Sequence, residues 1–224
     1  TPLQLAAAYG VFANGGYGVN PYLIDKVYDK DGRLLMQASP QKAAGNAPRV
    51  IDPRNAWLMT NMMQDVTRSG TAARAAQLGR SDIAGKTGTT NDARDTWFAG
   101  YTPDLVAIAW MGFDQPRSLG RHETGGQAAL PIWINFMGTA LKGLPQRSWP
   151  MPAGIVSVKI DPVTGTRLPD TVLDGLLQDL LGNNTAGMVE HFYQEFPPPD
   201  VPESSWDDPD SSVPAQPAAP ALLP

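Results

Sequence analysis

Six consecutive residues, Gly85-Lys86-Thr87-Gly88-Thr89-Thr90, place one ammonium, three hydroxyls and two glycines in a single short segment. One reading of that equipment is phosphate binding, because Gly-Lys-Thr closes a P-loop. A P-loop also needs a glycine five residues before Gly85, so that successive backbone N–H groups can cradle the phosphate. Position 80 is Arg, and Gly79 lies one residue too far back. A P-loop lysine opens a helix, whereas branched and aromatic residues typical of strands follow here. Nucleotide binding is therefore set aside. The tripeptide Lys-Thr-Gly alone remains weak evidence, because a turn-flanking surface lysine gives the same letters.

The elements around the segment are legible. Thr1 is suited to cap a helix, with Pro2 in its first turn and Gln4 completing a capping box. The Ala-rich run reaches Ala13, where Asn14-Gly15-Gly16 stops it. Residues 22–28 and 33–37 read as strands joined across Asp29-Lys30-Asp31-Gly32. Asp52-Pro53 opens a second helix, and the spacing of Leu58, Met59, Met62, Met63 and Val66 predicts its buried face. Residues 71–78 form a short helical turn ended by Gly79. Residues 95–101 and 105–113 read as two strands, so Lys86 stands in the first of three consecutive antiparallel strands. Residues 130–141 are apolar nearly all round, which predicts a buried helix. Helices on an antiparallel sheet make the fold class α+β.

The motif's surroundings carry a resemblance. Asp65-Val66-Thr67-Arg68-Ser69-Gly70-Thr71-Ala72, then Ala84 through Asp92, then Asp95-Thr96-Trp97-Phe98-Ala99-Gly100-Tyr101-Thr102-Pro103 resemble the bifunctional (class A) penicillin-binding proteins of the 1A type. Trp110-Met111-Gly112-Phe113-Asp114, Gly125-Gly126 and Ala129-Leu130-Pro131-Ile132-Trp133 resemble the same family, as do the opening Thr1-Pro2-Leu3-Gln4-Leu5-Ala6 and Phe12-Ala13-Asn14-Gly15-Gly16. The resemblance is dense over residues 1–142. It implies a penicillin-binding/serine β-lactamase-like transpeptidase fold, present in part, and serine acyl transfer from D-alanyl-D-alanine stem peptides of peptidoglycan. Lys86 would supply positive charge beside the nucleophile, and the Thr89 backbone N–H one oxyanion donor. Thr87 and Thr89 hydroxyls would hold the substrate carboxylate, with Gly88 and Thr90 completing the substrate-binding stretch. β-Lactams are the implied inhibitors, and the implied location is the periplasmic face of the bacterial inner membrane.

The family uses three motifs, and two are expected upstream of Thr1. Ser39-Pro40-Gln41-Lys42 has the Ser-x-x-Lys spacing, but Ala43-Ala44-Gly45-Asn46-Ala47-Pro48 continues as a loop rather than a central helix. It reads as a solvated loop serine. No Ser-x-Asn occurs, and Ser81-Asp82-Ile83 is only a partial echo. The chain is therefore expected to be the C-terminal half of a transpeptidase domain, partnered by the upstream half and inactive alone. Arg94, Asp95 and Trp97 either shape the cleft or pack the hairpin. Arg121-His122-Glu123 reads as a solvated loop, and Trp97, Trp110 and Trp133 as core.

Composition bounds the rest. The 224 residues include no Cys and two His, which excludes disulfide scaffolds, thiol catalysis and Cys-rich metal sites, so neither a metal nor a cofactor is expected. Charge is uneven. Residues 197–224 hold nine Pro and five acids with no Lys or Arg, while residues 1–154 carry 15 basic and 11 acidic groups, an excess that agrees with an anionic ligand and equally with a solvated basic face; no nucleic acid partner is expected. The expected organisation is a half-domain over 1–142, a Pro-punctuated linker over 143–154, a small acidic module over 155–196 and a disordered tail over 197–224. Two alternatives remain at this point. One is a non-catalytic module whose acidic end docks cell-wall synthesis proteins. The other is a β-lactamase-like hydrolase, against which the long stretch after the final helix argues.

Overall fold

The structure is a computed structural model that describes residues 1–168 and 187–200. The chain divides into two compact units, Thr1–Ala153 and Gly154–Pro224. In the first unit, helix α1 spans Pro2–Ala13. Its cap is the box anticipated from sequence: Thr1 Oγ1 accepts from the Gln4 amide at 3.3 Å, and Gln4 Oε1 accepts from the Thr1 amino group at 2.9 Å. Helix α2, Pro53–Arg68, is capped by Asp52, whose carboxylate accepts the Arg54 amide at 2.8 Å. Between them strands β1 (Lys26–Tyr28) and β2 (Leu34–Gln37) form an antiparallel hairpin shorter than the sequence suggests.

The central sheet has three antiparallel strands in the order β3 (Ala84–Thr89), β4 (Asp95–Tyr101), β5 (Val106–Gly112). Helix α3, Leu130–Ala140, follows a π-type turn at Gly125–Ala129. Phe98 and Trp133 meet edge to face, 4.9 Å between centroids, and form a core with Ile83, Leu130, Ile134 and Met137. Gly100 permits this contact, because a Cβ there would stand 2.7 Å from the Trp133 ring. A second cluster joins α1 and α2 to the sheet through Ala13, Met63, Ala84 and Tyr101.

Three expectations need correction. On α2 Met63 is buried and Met59 and Val66 pack against the core as expected, but Met62 is exposed and the other fully buried positions are Ala56, Thr60 and Thr67. Small residues let the helix lie close to β3, and its hydroxyls are satisfied there: Thr60 bonds Tyr101 Oη at 2.8 Å, and Thr67 donates to the Ile83 carbonyl at 2.8 Å. Helix α3 is not buried all round, since Ile132 and Phe136 are exposed. Of the three tryptophans expected in the core, only Trp133 is buried; Trp97 and Trp110 pair at 5.9 Å, with Trp110 partly open to solvent.

The stretch after α3 is held to the first unit. Asp82 accepts Arg80 Nη2 at 2.7 Å and the Arg147 amide at 3.0 Å, and Trp149 stacks edge-on against Tyr101 at 5.6 Å. In the second unit, β6 (Ile155–Ile160) pairs antiparallel with β7 (Met188–Tyr193). Asp161 shapes the turn after β6 by accepting the Val163 amide at 2.7 Å and the Thr164 amide at 3.1 Å. The middle of the expected acidic module (169–186) and the tail beyond Asp200 lie outside the described residues.

Candidate active site

Lys86, Thr87, Gly88 and Thr89 lie on β3, the outer strand of the sheet among the described residues. Their partners on β4 are Ala99, Phe98, Trp97 and Thr96. The Thr90 amide donates to the Asp95 carbonyl at 3.0 Å. Backbone groups alternate along an antiparallel strand, so Gly88 turns its N–H toward β4 while Thr87 and Thr89 turn theirs away from it. The outward side of β3 therefore offers the Thr89 N–H, the Thr87 N–H and their carbonyls. Lys86 is exposed, and its Nζ donates to the Thr87 carbonyl at 3.0 Å, which holds the ammonium along this edge.

The hydroxyls of Thr87 and Thr89 share the other face of the strand from Lys86. Thr87 Oγ1 lies 2.7 Å from Thr71 Oγ1, and Thr89 Oγ1 accepts from the Gly125 amide at 3.0 Å. Thr90 is used differently from its neighbours. Its hydroxyl accepts the Asp95 amide at 2.8 Å, which closes the turn from β3 to β4. Asp95 also accepts Trp110 Nε1 at 2.9 Å, so it packs the hairpin. In that turn Asp92 and Ala93 both have positive φ, 60° and 47°, at a cost on the order of 1 kcal/mol each. The Ala93 carbonyl is pinned by the Leu119 amide at 2.8 Å.

Glycines let the parts approach. A Cβ at Gly125 would lie 2.5 Å from the Trp97 carbonyl and 2.6 Å from that of Gly88. Thr71 and Gly125 received no site role from sequence, although both stand in stretches that carry the family resemblance. Ser39 sits exposed in the loop after β2, where Lys42 N donates to Asn46 Oδ1 at 2.8 Å. Arg121 and His122 are exposed on their loop, and Glu123 is half-buried there. The arrangement assembles a cation, two hydroxyls and outward amides along one strand edge. That set can bind an extended chain by strand addition and hold a carboxylate at its end.

Penicillin-binding protein 1A of Neisseria lactamica is 57% identical over 157 residues, which cover 70% of this chain and 20% of that protein. The Pseudomonas aeruginosa penicillin-binding protein 1A is 45% identical over 210 residues, 74% of this chain and 26% of that one. The chain thus spans 20% of the length of the Neisseria relative. Among solved structures, penicillin-binding protein 1A from Haemophilus influenzae aligns at a TM-score of 0.76 and 35% identity, over 88% of this chain and 32% of that one. Penicillin-binding protein A from M. tuberculosis, solved as an acyl-enzyme complex, aligns at 0.51 and 25% identity over 63% and 32%. The family described as penicillin binding protein transpeptidase domain matches residues 1–137, which is more than half of the chain, and to that family the chain belongs.

Proposed function

We propose that this chain supplies the Lys-Thr-Gly side of a peptidoglycan D,D-transpeptidase site. The observation that carries this reading is the outer strand β3, which carries Lys86, the outward N–H of Thr89 and, on the opposite face from Lys86, the hydroxyls of Thr87 and Thr89. A stem peptide ending in D-alanyl-D-alanine lies antiparallel along that edge, its carboxylate held by the two hydroxyls and drawn in by the Lys86 charge. A serine, contributed by sequence outside this chain, attacks the carbonyl carbon of the penultimate D-alanine. The Thr89 N–H supports the developing oxyanion. The peptide bond breaks, D-alanine leaves with a proton on its amine, and an acyl ester remains on the serine. An amine from a neighbouring strand attacks that ester, forms the new amide and frees the hydroxyl. Thr90 acts in this scheme by fixing the turn that ends β3.

β-Lactams enter the same edge because their carboxylate and strained amide match those two contacts. The reaction belongs to the periplasmic face of the bacterial inner membrane. Among the described residues no helix is long and apolar enough to cross a membrane. Fluorescent penicillin tests the reading. The full-length protein that contains this chain should be labelled covalently, and the isolated chain should not. Stable labelling of the isolated chain at Ser39 would place the nucleophile here and overturn the assignment of roles.

A further inference from the structure

Thr71 and Thr87 are joined through their hydroxyls, 2.7 Å apart. A hydroxyl carries one proton and two lone pairs, so one of the pair donates and the other accepts. The direction decides what Thr87 offers a ligand. With its proton turned to Thr71, Thr87 would face a carboxylate with lone pairs alone. With Thr71 as donor, Thr87 keeps its proton for the ligand.

The neighbouring hydroxyl sets the pattern. Thr89 Oγ1 accepts from the Gly125 amide, a group that can only donate, so Thr89 is supported from behind and keeps its own proton outward. Thr87 and Thr89 stand two residues apart on one face of β3. The two supporting groups are wedged together: a Cβ at Gly126 would lie 2.7 Å from the Thr71 carbonyl, and one at Gly125 would lie 2.6 Å from the Gly88 carbonyl. Thr71 itself lies three residues past the end of α2, whose Thr67 is tied to the residue before β3. The donor behind Thr87 is therefore carried by rigid parts of the fold.

We infer that Thr71 is a positioning residue for anionic ligands: its hydroxyl donates to Thr87 Oγ1 and so holds the Thr87 proton toward the ligand carboxylate. This deepens the transpeptidase reading and rests on it. Thr71 acts only through Thr87, and its effect is confined to ligands that carry the negative charge.

The test uses the full-length protein with Thr71→Val, which removes the hydroxyl at nearly constant volume, and Thr71→Ser, which keeps it. Second-order acylation is measured with a penicillin bearing a free carboxylate and with the same penicillin esterified at that carboxylate. Thr71→Val should slow the free acid roughly tenfold, the scale of a hydrogen bond to a charged group, and leave the ester at the wild-type rate. Thr71→Ser should restore the free acid. A merely structural role would slow both ligands alike, and that result would overturn the inference, as would unchanged rates for both. Thr71→Ala provides a second variant if Thr71→Val melts early, with the same ligand-dependent loss expected. A wild-type protein that reacts with neither ligand sinks the transpeptidase reading and this inference with it. A reactive wild type whose Thr71→Val and Thr71→Ala variants keep its full preference for the free acid sinks this inference alone.

Discussion

Lys86 stands exposed on β3, and its ammonium is steadied by the Thr87 carbonyl, with no acidic partner among the described residues. Its charge is thus open to a ligand anion and, in the proposed reaction, to the developing oxyanion. Replacing Lys86 with Ala in the full-length protein should lower second-order acylation by penicillin roughly 100-fold, the scale of losing one preorganised transition-state contact. An unchanged rate would remove Lys86 from the site. A different residue-level prediction concerns Tyr101, whose hydroxyl is buried against Thr60 at 2.8 Å. Burial raises its pKa well above the ordinary value of 10.0. Burial raises that of its neighbour Tyr9 as well. The folded state therefore holds these protons at pH values where the unfolded chain has begun to release them. Stability from this source is complete below the ordinary tyrosine value and falls as pH rises above it. Urea unfolding followed from about pH 8 to about pH 11 should show a declining alkaline limb that Tyr101→Phe flattens. A limb of equal slope in the variant would locate the titration elsewhere.

Among the elements, the glycines divide into those that wedge and those that merely loosen. Gly10 lies inside α1, and a Cβ there meets nothing within 4 Å. Gly10→Ala should raise the unfolding free energy by roughly 0.5–1 kcal/mol through helix propensity and reduced freedom of the unfolded chain. Gly125→Ala should lower it by about 2 kcal/mol, because the new methyl meets backbone at 2.5 Å in a place that cannot yield without parting the π-type turn from β3. Denaturant titration of the two variants checks both signs, and equal effects would contradict the close approach at Gly125. These elements also mark what the sequence can and cannot disclose. The caps at Thr1 and Asp52 and the run of three strands are local, so the order of residues specifies them directly. The face of α2 is not local. Hydrophobic periodicity favours Met62, yet Thr60 and Thr67 go inward because Tyr101 and Ile83 wait there with polar groups to satisfy. The same distinction runs through the site. Lys86, Thr87 and Thr89 lie in one short segment whose resemblance to the family marks them, whereas Thr71 and Gly125 reach them across 16 and 36 residues of chain.

At the scale of the whole molecule, charge and site separate along the chain. Both core clusters and every residue assigned to the edge of β3 belong to the first unit, Thr1–Ala153. The last acid-rich stretch begins after Phe196, and residues 1–154 carry an excess of four positive charges. The excess matches a ligand that ends in a carboxylate, while the acid-rich end repels one. Within the first unit the chain remains tied down to Trp149, whose Nε1 donates to the Ala13 carbonyl at 2.9 Å and whose ring meets Tyr101. Acylation should therefore depend on residues up to that anchor and not on those after it. Deleting residues 155–224 from the full-length protein should leave penicillin acylation within about twofold of wild type, since no transition-state contact is removed. Replacing Trp149 with Ala should lower the unfolding free energy by about 2 kcal/mol, less than the loss of a fully buried aromatic because Trp149 is half-buried. If the deletion abolishes acylation while the truncated protein still melts cooperatively, the acid-rich end takes part in the site, and the site cannot be confined to the first unit.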